Sequence, residues 1–578
     1  MKHKHIIKFV AACMIGSIVT SCNDVLDVNR TDVVSDQAIW GSVESADAYI
    51  TASYKIFTED TQLKNCRNRF WDSYSDIIKS SSWDQYGHPY NTFLLQGVTS
   101  GEHGAGALEC WETQYSRIRT ANVCLRSLRE FGAKYGADFV RTREAEIRLC
   151  RAYSFYLLAR VYGGVVMRTE TSGKYGVSDG AVPEDIKMAR ATEAETYRYI
   201  LDELQFAAEN LPETNSAVWP QGRAVKSFAY GLISRIALYA KEWSEAADAA
   251  EKCAKCPGVE LDPVFSNVFS ANSGNSPEVL FAIYYLKGNA NLYHLWDDSV
   301  SPRGDTNINS SGAYAEHQPT AELADLYEWS DGTPFSWSNW SDSHSDPFSD
   351  REPRFQATVL YNGADWRGRK IECWADYKDA DGETVSSYDG FTEFRKSGST
   401  GGKTCTGYFL RKFLDESNMS FIESKDKSTT PDIIMRYGEV LLNQAEAYAQ
   451  MDLVANQSKI LDCINALRSR VGLPDKKIAD ISSLDNTMRL IREERAKELA
   501  AEGLRFWDLR RWGIAESVIG GQMAHGVKIT KNSDGTLSYD RIDCDAGQAR
   551  VYPSRYKYFS IPLIERSTNT DCVNNPGW

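Results

Sequence analysis

MRYGEVLLNQAEAYAQ (435–450), followed by SKILDCINALRSRVG (458–472), is the stretch on which the fold turns. Tyr437, Leu441, Ala445 and Tyr448 recur at spacings of three and four, which gathers them on one helical face that must be buried. ALYAKEWSEAADAAEKCAK (237–255) has the same plan: an apolar helix, a polar turn at Lys241 and Glu242, and Trp243 opening an Ala-rich second helix. Working outward, the helical period returns at Ala145, Leu149, Ala152, Phe155, Ala159 and Tyr162, and at Phe228, Leu232, Ile236 and Tyr239. The expected architecture is mainly α.

The paired helices resemble tetratricopeptide units, in which small alanines let two helices pack closely while an aromatic fills the gap. Their spacing is uneven, so the expectation is a helical scaffold built partly from such hairpins and not a regular solenoid. Residues 258–430 have a different texture, rich in Gly, Ser, Asn, Asp and aromatics, as in NLYHLWDDSVSPRGDTN (291–307) and SDGTPFSWSNWSDSHSDPF (330–348). Long loops of this kind carry function more often than packing. Short strands are expected at Val279–Tyr285 and Phe355–Tyr361.

Composition narrows the function. Hydrophobic residues make up 42% of the 578 and charged residues 25%, a globular balance, and the formal net charge is −14. That acidity disfavours a nucleic-acid partner, which needs concentrated basic surface, and leans towards a neutral ligand. The aromatic content is high, at 15 Trp, 30 Tyr and 22 Phe.

At the N-terminus, Lys2, Lys4 and Lys8 precede an apolar run from Phe9 to Val19, and Val19, Thr20 and Ser21 lead into Cys22. The run is short of the roughly 20 residues that a membrane-spanning helix needs. The order aliphatic, small, small, Cys resembles a bacterial lipobox, which implies removal of residues 1–21 and acylation of Cys22. With Cys13 and Cys22 set aside, an odd number of the 13 cysteines remains, scattered along the chain, so no complete disulfide framework is expected. Cys253 and Cys256 form a CxxC without a second pair, which reads as two small residues of one helix and not as zinc ligands.

Several segments in order resemble the SusD/RagB family, surface lipoproteins of Bacteroidetes that bind glycans beside a TonB-dependent outer-membrane transporter. They include CNDVLDV (22–28), RLCRAYSFYLLARVYGGV (148–165), GRAVKSFAYGLISRIALYA (222–240) and REPRFQATVLYNG (351–363). TGYFLRKFLDE (406–416), the 431–449 helix, INALRSRVGL (464–473), IREERAKELAAEGLRFWDLRRWG (491–513) and YFSIPLIERSTNTDCVNNPGW (558–578) complete the series. The resemblance implies a SusD-like fold: a tetratricopeptide-like helical scaffold with a loop-rich ligand face. It implies a signal peptide over 1–21, a lipidated tether over 22–40 and a helical region over 41–257. A ligand-binding region over 258–430 and a C-terminal helical region over 431–578 follow. It also implies a SusC-like transporter partner, outer-membrane anchoring by lipid, a glycan ligand, no cofactor and no catalysis. Peptide cargo on the same fold, and a surface glycoside hydrolase using loop carboxylates, are the alternatives.

Enzyme-like strings have simpler readings. In 493–511, Glu494 and Glu498 share a helix face, and each has an arginine within reach; carboxylates so matched stay ionised and serve as an ion-pair network. GSTGGKT (398–404) has Ser397 where a phosphate loop needs glycine, so it reads as a hairpin turn. DADGET (379–384) offers Asp379 and Asp381 but too few further ligands for calcium. The histidines are dispersed, with no HExxH.

A sugar presents a face of C–H bonds and a rim of hydroxyls, matched by a flat aromatic and by carboxylate, amide or guanidinium groups. SSSWDQYGHPY (80–90) supplies Trp83, Asp84, Gln85, Tyr86, His88 and Tyr90, and the 291–303 stretch supplies Asn291, Tyr293, Trp296, Asp297, Asp298 and Arg303. By position these match the loops from which the family takes its glycan contacts. Trp83 and Trp296 are the expected stacking rings, with Asp72, Asp84, Asn291 and Arg303 bonding hydroxyls and Tyr86 and Tyr293 in support. Trp337 and Trp340 form a third candidate, trailed by Trp366 and Trp374. For each ring the other reading is an anchor that pins its loop to the helical body.

Overall fold

Apolar periods become helices that stack in chain order. The long ones are α1 (Trp111–Phe131), α2 (Ala137–Tyr162), α3 (Glu193–Asn210), α4 (Lys226–Ala240), α5 (Trp243–Ala254), α6 (Tyr437–Arg470) and α7 (Leu484–Glu498), and a short α8 (Arg505–Arg511) follows. Each of α1 to α6 packs against the next in this series. The computed structural model describes residues 36–59, 67–82, 90–98, 108–169, 187–286, 293–305, 312–418 and 428–578. The expected leader and Cys22 lie outside these residues, as do Trp83, Asp84, Tyr86 and Asn291.

Local chemistry sets the helix ends. Thr192 and Glu195 form a reciprocal capping box at the start of α3, satisfying two N–H groups that the helix itself cannot pair. Between α4 and α5, Lys241 takes the left-handed conformation (φ 60°) and donates its N–H to Ala237 and Leu238, which makes the turn expected there. Ala246, Ala247, Ala249, Ala250 and Cys253 are the buried face of α5, small enough for close approach to α4. The 435–472 stretch is also two helices: α6 is broken at Asp452 (φ −163°, ψ 100°), whose carboxylate accepts the N–H of Ala455 at 3.0 Å and restarts the helix.

The strands are short pairs. β1 (Ile78–Ser80) pairs antiparallel with β3 (His317–Pro319), β2 (Val279–Ile283) with β4 (Asp432–Arg436), and β5 (His525–Lys531) with β6 (Leu537–Asp543). The strand expected over Phe355–Tyr361 is reduced to Val359–Leu360, because Pro353–Thr358 is a short helix. Pro353 sits in its first turn, where the missing N–H costs nothing and φ is already helical. Residues through Thr51 form one unit, with a helix at Val43–Thr51, and Ala52–Trp578 form the other.

The charged string after residue 490 spends its charges on itself and on the neighbouring segments. Glu498 accepts from Arg436 (2.8 Å), Arg470 (2.6 Å) and Arg354 (3.3 Å), and Glu494 from Arg354 (2.9 Å), Arg468 (3.0 Å) and Lys497 (2.8 Å), with all these side chains buried. Despite burial, these cations hold both carboxyls well below the usual carboxylate range. Asp508 is likewise bound by Arg495 and Arg511 at 2.8 Å each, and Arg511 reaches Glu446 on α6. A pair of carboxylates so matched is poorly suited to proton transfer.

The other decoys resolve similarly. Asp379 accepts the N–H groups of Asp381 (3.0 Å) and Glu383 (2.9 Å) on one oxygen, which closes a tight hairpin turn. Gly398, Gly401 and Gly402 all take positive φ in the turn read from GSTGGKT. Cys253 and Cys256 donate their S–H groups to backbone carbonyls of Ser227 and Lys252. Among the described residues no disulfide forms, no cluster of His, Cys, Asp or Glu is placed to hold a metal, and no helix is long and apolar enough to cross a membrane.

Candidate functional site

The β1–β3 pair brings together the two stretches singled out for their rings, which lie far apart in the chain. Past the end of the pair, Ser81 donates to Glu316 at 2.8 Å, so Ser82, which precedes 83–89, lies beside the chain that leads out of the 293–305 segment. That segment is held by main-chain bonds from Tyr314 to Asp298, Ala315 to Ser301 and Glu316 to Ser299. Asn91 ties the chain after 83–89 to the chain before it, donating to the carbonyls of Ser80 (3.0 Å) and Ser82, and accepting from Lys79.

A third segment, 388–405, joins this rim. Gln318 of β3 donates to Lys403 at 3.1 Å and accepts from Cys405 at 2.8 Å, while the N–H of Arg303 donates to Gly402 at 3.2 Å. Gly402 (φ +80°) is pressed so near that a Cβ would lie 2.4 Å from the Ala313 carbonyl oxygen. Gly402→Ala is therefore expected to cost about 1–3 kcal/mol of stability in urea unfolding, by strain and by parting the two segments. An unchanged midpoint would show that the segments are not in contact there.

Among the side chains of the rim that face solvent are a guanidinium and a ring. Arg303 is exposed, and Tyr388 is 54% exposed although its ring lies against Gly304, where a Cβ would meet it at 2.5 Å. Tyr388 is held in place by its neighbour Asp389, which is fully buried and accepts from Gly304 (3.1 Å), Glu372 (2.9 Å) and both terminal nitrogens of Arg369 (2.8 Å each). Asp305 is bound in turn by Arg367 and Arg369, each at 2.7 Å. Tyr293 and Tyr314 are half-buried at the same rim. A flat ring beside a guanidinium on a rigid base is the pairing that a sugar's C–H face and hydroxyl rim require.

Several expected contacts are instead part of the interior. Trp296 is fully buried, stacked on Phe70 (5.2 Å, 19°), with its indole N–H donated to the Lys412 carbonyl at 3.2 Å. Phe70 stacks on His317 of β3 (3.9 Å), and Tyr90, also buried, meets His317 edge-on at 5.4 Å. These rings form a pillar under the rim, so Trp296 and Tyr90 support it from below. Asp72 is buried as well, accepting the N–H groups of Gly503 (3.1 Å) and Arg505 (2.9 Å), and burial pushes its carboxyl up to about 7. It docks the start of α8 and has no path to a ligand. Asp297 is fully buried, its oxygens taken by Asp415 N–H and the Ser428 hydroxyl, and burial raises its carboxyl to about 6. Trp366 is buried with its N–H on Asp305, and Trp374 is buried too.

The third candidate divides. Trp337 is half-buried and donates to Asp325 at 2.9 Å, which makes it an anchor. Trp340 is half-exposed and stands edge-on against Tyr539 of β6 (5.6 Å), with no hydrogen-bond partner for its indole N–H among the described residues. Sequence reading missed Tyr388; the available signal was its place before Asp389–Gly390, a turn that puts a ring on a loop tip.

Comparison with known proteins gives a consistent picture. A family model described as "SusD family" matches residues 277–578, and one described as "Starch-binding associating with outer membrane" matches 26–238. The chain is similar to "SusD-like protein P2" of Formosa agariphila, at 22% identity over 90% of this chain and 92% of the relative. Among solved structures, a SusD-like protein of Bacteroides fragilis superposes with a TM-score of 0.75 at 23% identity, covering 95% of this chain and 99% of its own. A "laminarin binding SusD-like protein" superposes with a TM-score of 0.61 at 20% identity, covering 93% of this chain and 99% of its own.

Proposed function

The chain belongs to the SusD family, and on that premise we propose that it is a cell-surface lipoprotein that captures a glycan and passes it to a TonB-dependent outer-membrane transporter. The observation that carries the reading is the exposed Tyr388 ring, set against Gly304 and 5.1 Å from the Arg369 guanidinium, at a rim where three distant segments are locked together. In this reading Trp83 would stack on a second sugar ring, and Asp84, Tyr86, Asn291 and Tyr293 would bond hydroxyls. Cys22 would carry the lipid that holds the protein at the membrane.

Binding without chemistry suits this role, since cargo must be released inward. A micromolar Kd corresponds to about −8 kcal/mol, within reach of one or two stacked rings and several solvent-facing hydrogen bonds. Screening neutral plant, fungal and host polysaccharides by affinity electrophoresis identifies the ligand. On that ligand, Tyr388→Ala and Trp83→Ala are each expected to weaken binding about five- to tenfold. Wild-type affinity in both variants would place the site elsewhere, and release of reducing ends from a bound glycan would make the protein a hydrolase.

A further inference from the structure

A second cavity opens on the helical body, where the start of α3, the end of α4, α8 and Lys557–Tyr558 meet. Its volume of about 480 Å³ lies within the ~300–1,000 Å³ range of small-molecule sites. In a chain of net charge −14, its charge is reversed: Arg160, Lys241, Arg510 and Lys557 line it, and among the described residues none of the four pairs with a carboxylate. Elsewhere in the same body, buried guanidiniums such as those of Arg354, Arg436 and Arg468 are matched by carboxylates. The fifth cation of the lining, Arg511, is already bound to Glu446 and Asp508. Glu193, the acid of the lining, accepts from the Tyr558 hydroxyl.

Arg510 is the decisive residue. It is only 8% exposed, donates one nitrogen to the carbonyls of Tyr556 and Lys557, lies beside the Tyr552 hydroxyl, and meets no carboxylate among the described residues. Beside it, fully buried Trp507 has no acceptor for its indole N–H, and Arg160, stacked 4.1 Å from the Trp507 ring centre, has none for Nε. Buried donors and buried charge without partners cost stability, and an anion entering here would offset that cost. Tyr197, Tyr239 and Trp507 supply flat apolar walls.

We propose that this cavity binds a small ligand bearing a carboxylate on a ring-shaped body, such as an acidic monosaccharide. The cations would hold the carboxylate and the aromatic walls the ring. The site is separate from the Tyr388 rim and does not depend on the reading of that rim.

Titration calorimetry on the full chain tests this with glucuronate, glucose and inorganic sulfate. Glucuronate is expected to bind, with glucose and sulfate at least about tenfold weaker, because charge and ring contribute together. Lys241→Glu with Lys557→Glu, both at exposed positions, should weaken glucuronate at least about tenfold while leaving the ligand-free melting midpoint unchanged. Tyr388→Ala should leave glucuronate affinity unchanged, which separates this site from the rim. No heat with glucuronate, equal binding of glucose or of sulfate, indifference to the charge reversals, or loss in Tyr388→Ala would each overturn the proposal.

Discussion

Glu498→Ala is expected to cost about 3–5 kcal/mol in urea unfolding, the loss that follows when one partner of a buried ion network is removed and the others stay. Glu498 serves three guanidiniums at once, those of Arg354, Arg436 and Arg470, and none of the four side chains is appreciably exposed. Without Glu498, Arg354 keeps Glu352 and Glu494, Arg436 keeps Glu278 and Glu502, and Arg470 keeps Glu278 alone, so each guanidinium loses a buried counter-charge. Glu498→Gln should cost less, since an amide oxygen still accepts one or two of the bonds. A cost under about 1 kcal/mol would mean that water reaches the network and screens it, as at surface pairs.

The same network fixes the sign of the pH response. Glu494, Glu498, Glu502 and Asp508 are all held below their ordinary values by the cations around them, and Asp545, beside Arg550 and Lys79, is lowered to about 2. A carboxyl with a depressed folded-state pKa contributes stability that is fully present above its unfolded value and lost as pH falls through the folded one. Stability should therefore decline with acidification below about pH 4, where the unfolded chain begins to bind protons that the folded chain refuses. The gap between wild type and Glu498→Ala should narrow over the same range.

That these charges form an ion-pair network is legible in the sequence, since Glu494 and Glu498 share one helical turn among cations. The partners are not: only Lys497 is local, and Arg354, Arg436, Arg468 and Arg470 come from elsewhere in the chain. The helical hairpins are legible because period, alanine content and turn residues all lie within the length of a single hairpin. Aromatic display is not. Trp296, Trp366, Trp374 and Tyr90 sit in polar stretches that look like display, yet are covered by partners remote in the chain: Phe70 for Trp296, Asp305 for Trp366, Lys531 for Trp374, His317 for Tyr90. Asp72 similarly meets its two N–H donors, those of Gly503 and Arg505, near the opposite end of the chain. A polar context signals a loop, but only the long-range pairing decides which face of the loop is the inner one. Tyr388 shows the converse, a ring with a modest sequence signal that a buried aspartate and a glycine hold at the surface.

Trp296→Ala separates display from support. If the ring faced a ligand, its loss would weaken glycan binding and leave stability nearly unchanged. As a fully buried side chain stacked on Phe70 and met edge-on by Phe413, with Arg69 4.9 Å from its centre, it should instead cost about 3–5 kcal/mol, the usual range for removing a core tryptophan. Trp296→Phe, which keeps a ring but loses the hydrogen bond to Lys412, should recover roughly half of that. Because the pillar runs from Trp296 through Phe70 and His317 to Tyr90, the cavity left by alanine lies directly under the rim. Glycan affinity should fall as well in this case, but in step with the thermal midpoint and regained with it in Trp296→Phe. Tyr388→Ala should show the opposite pattern, with affinity lost and the midpoint kept. Loss of affinity without loss of stability in Trp296→Ala would return that ring to the binding face.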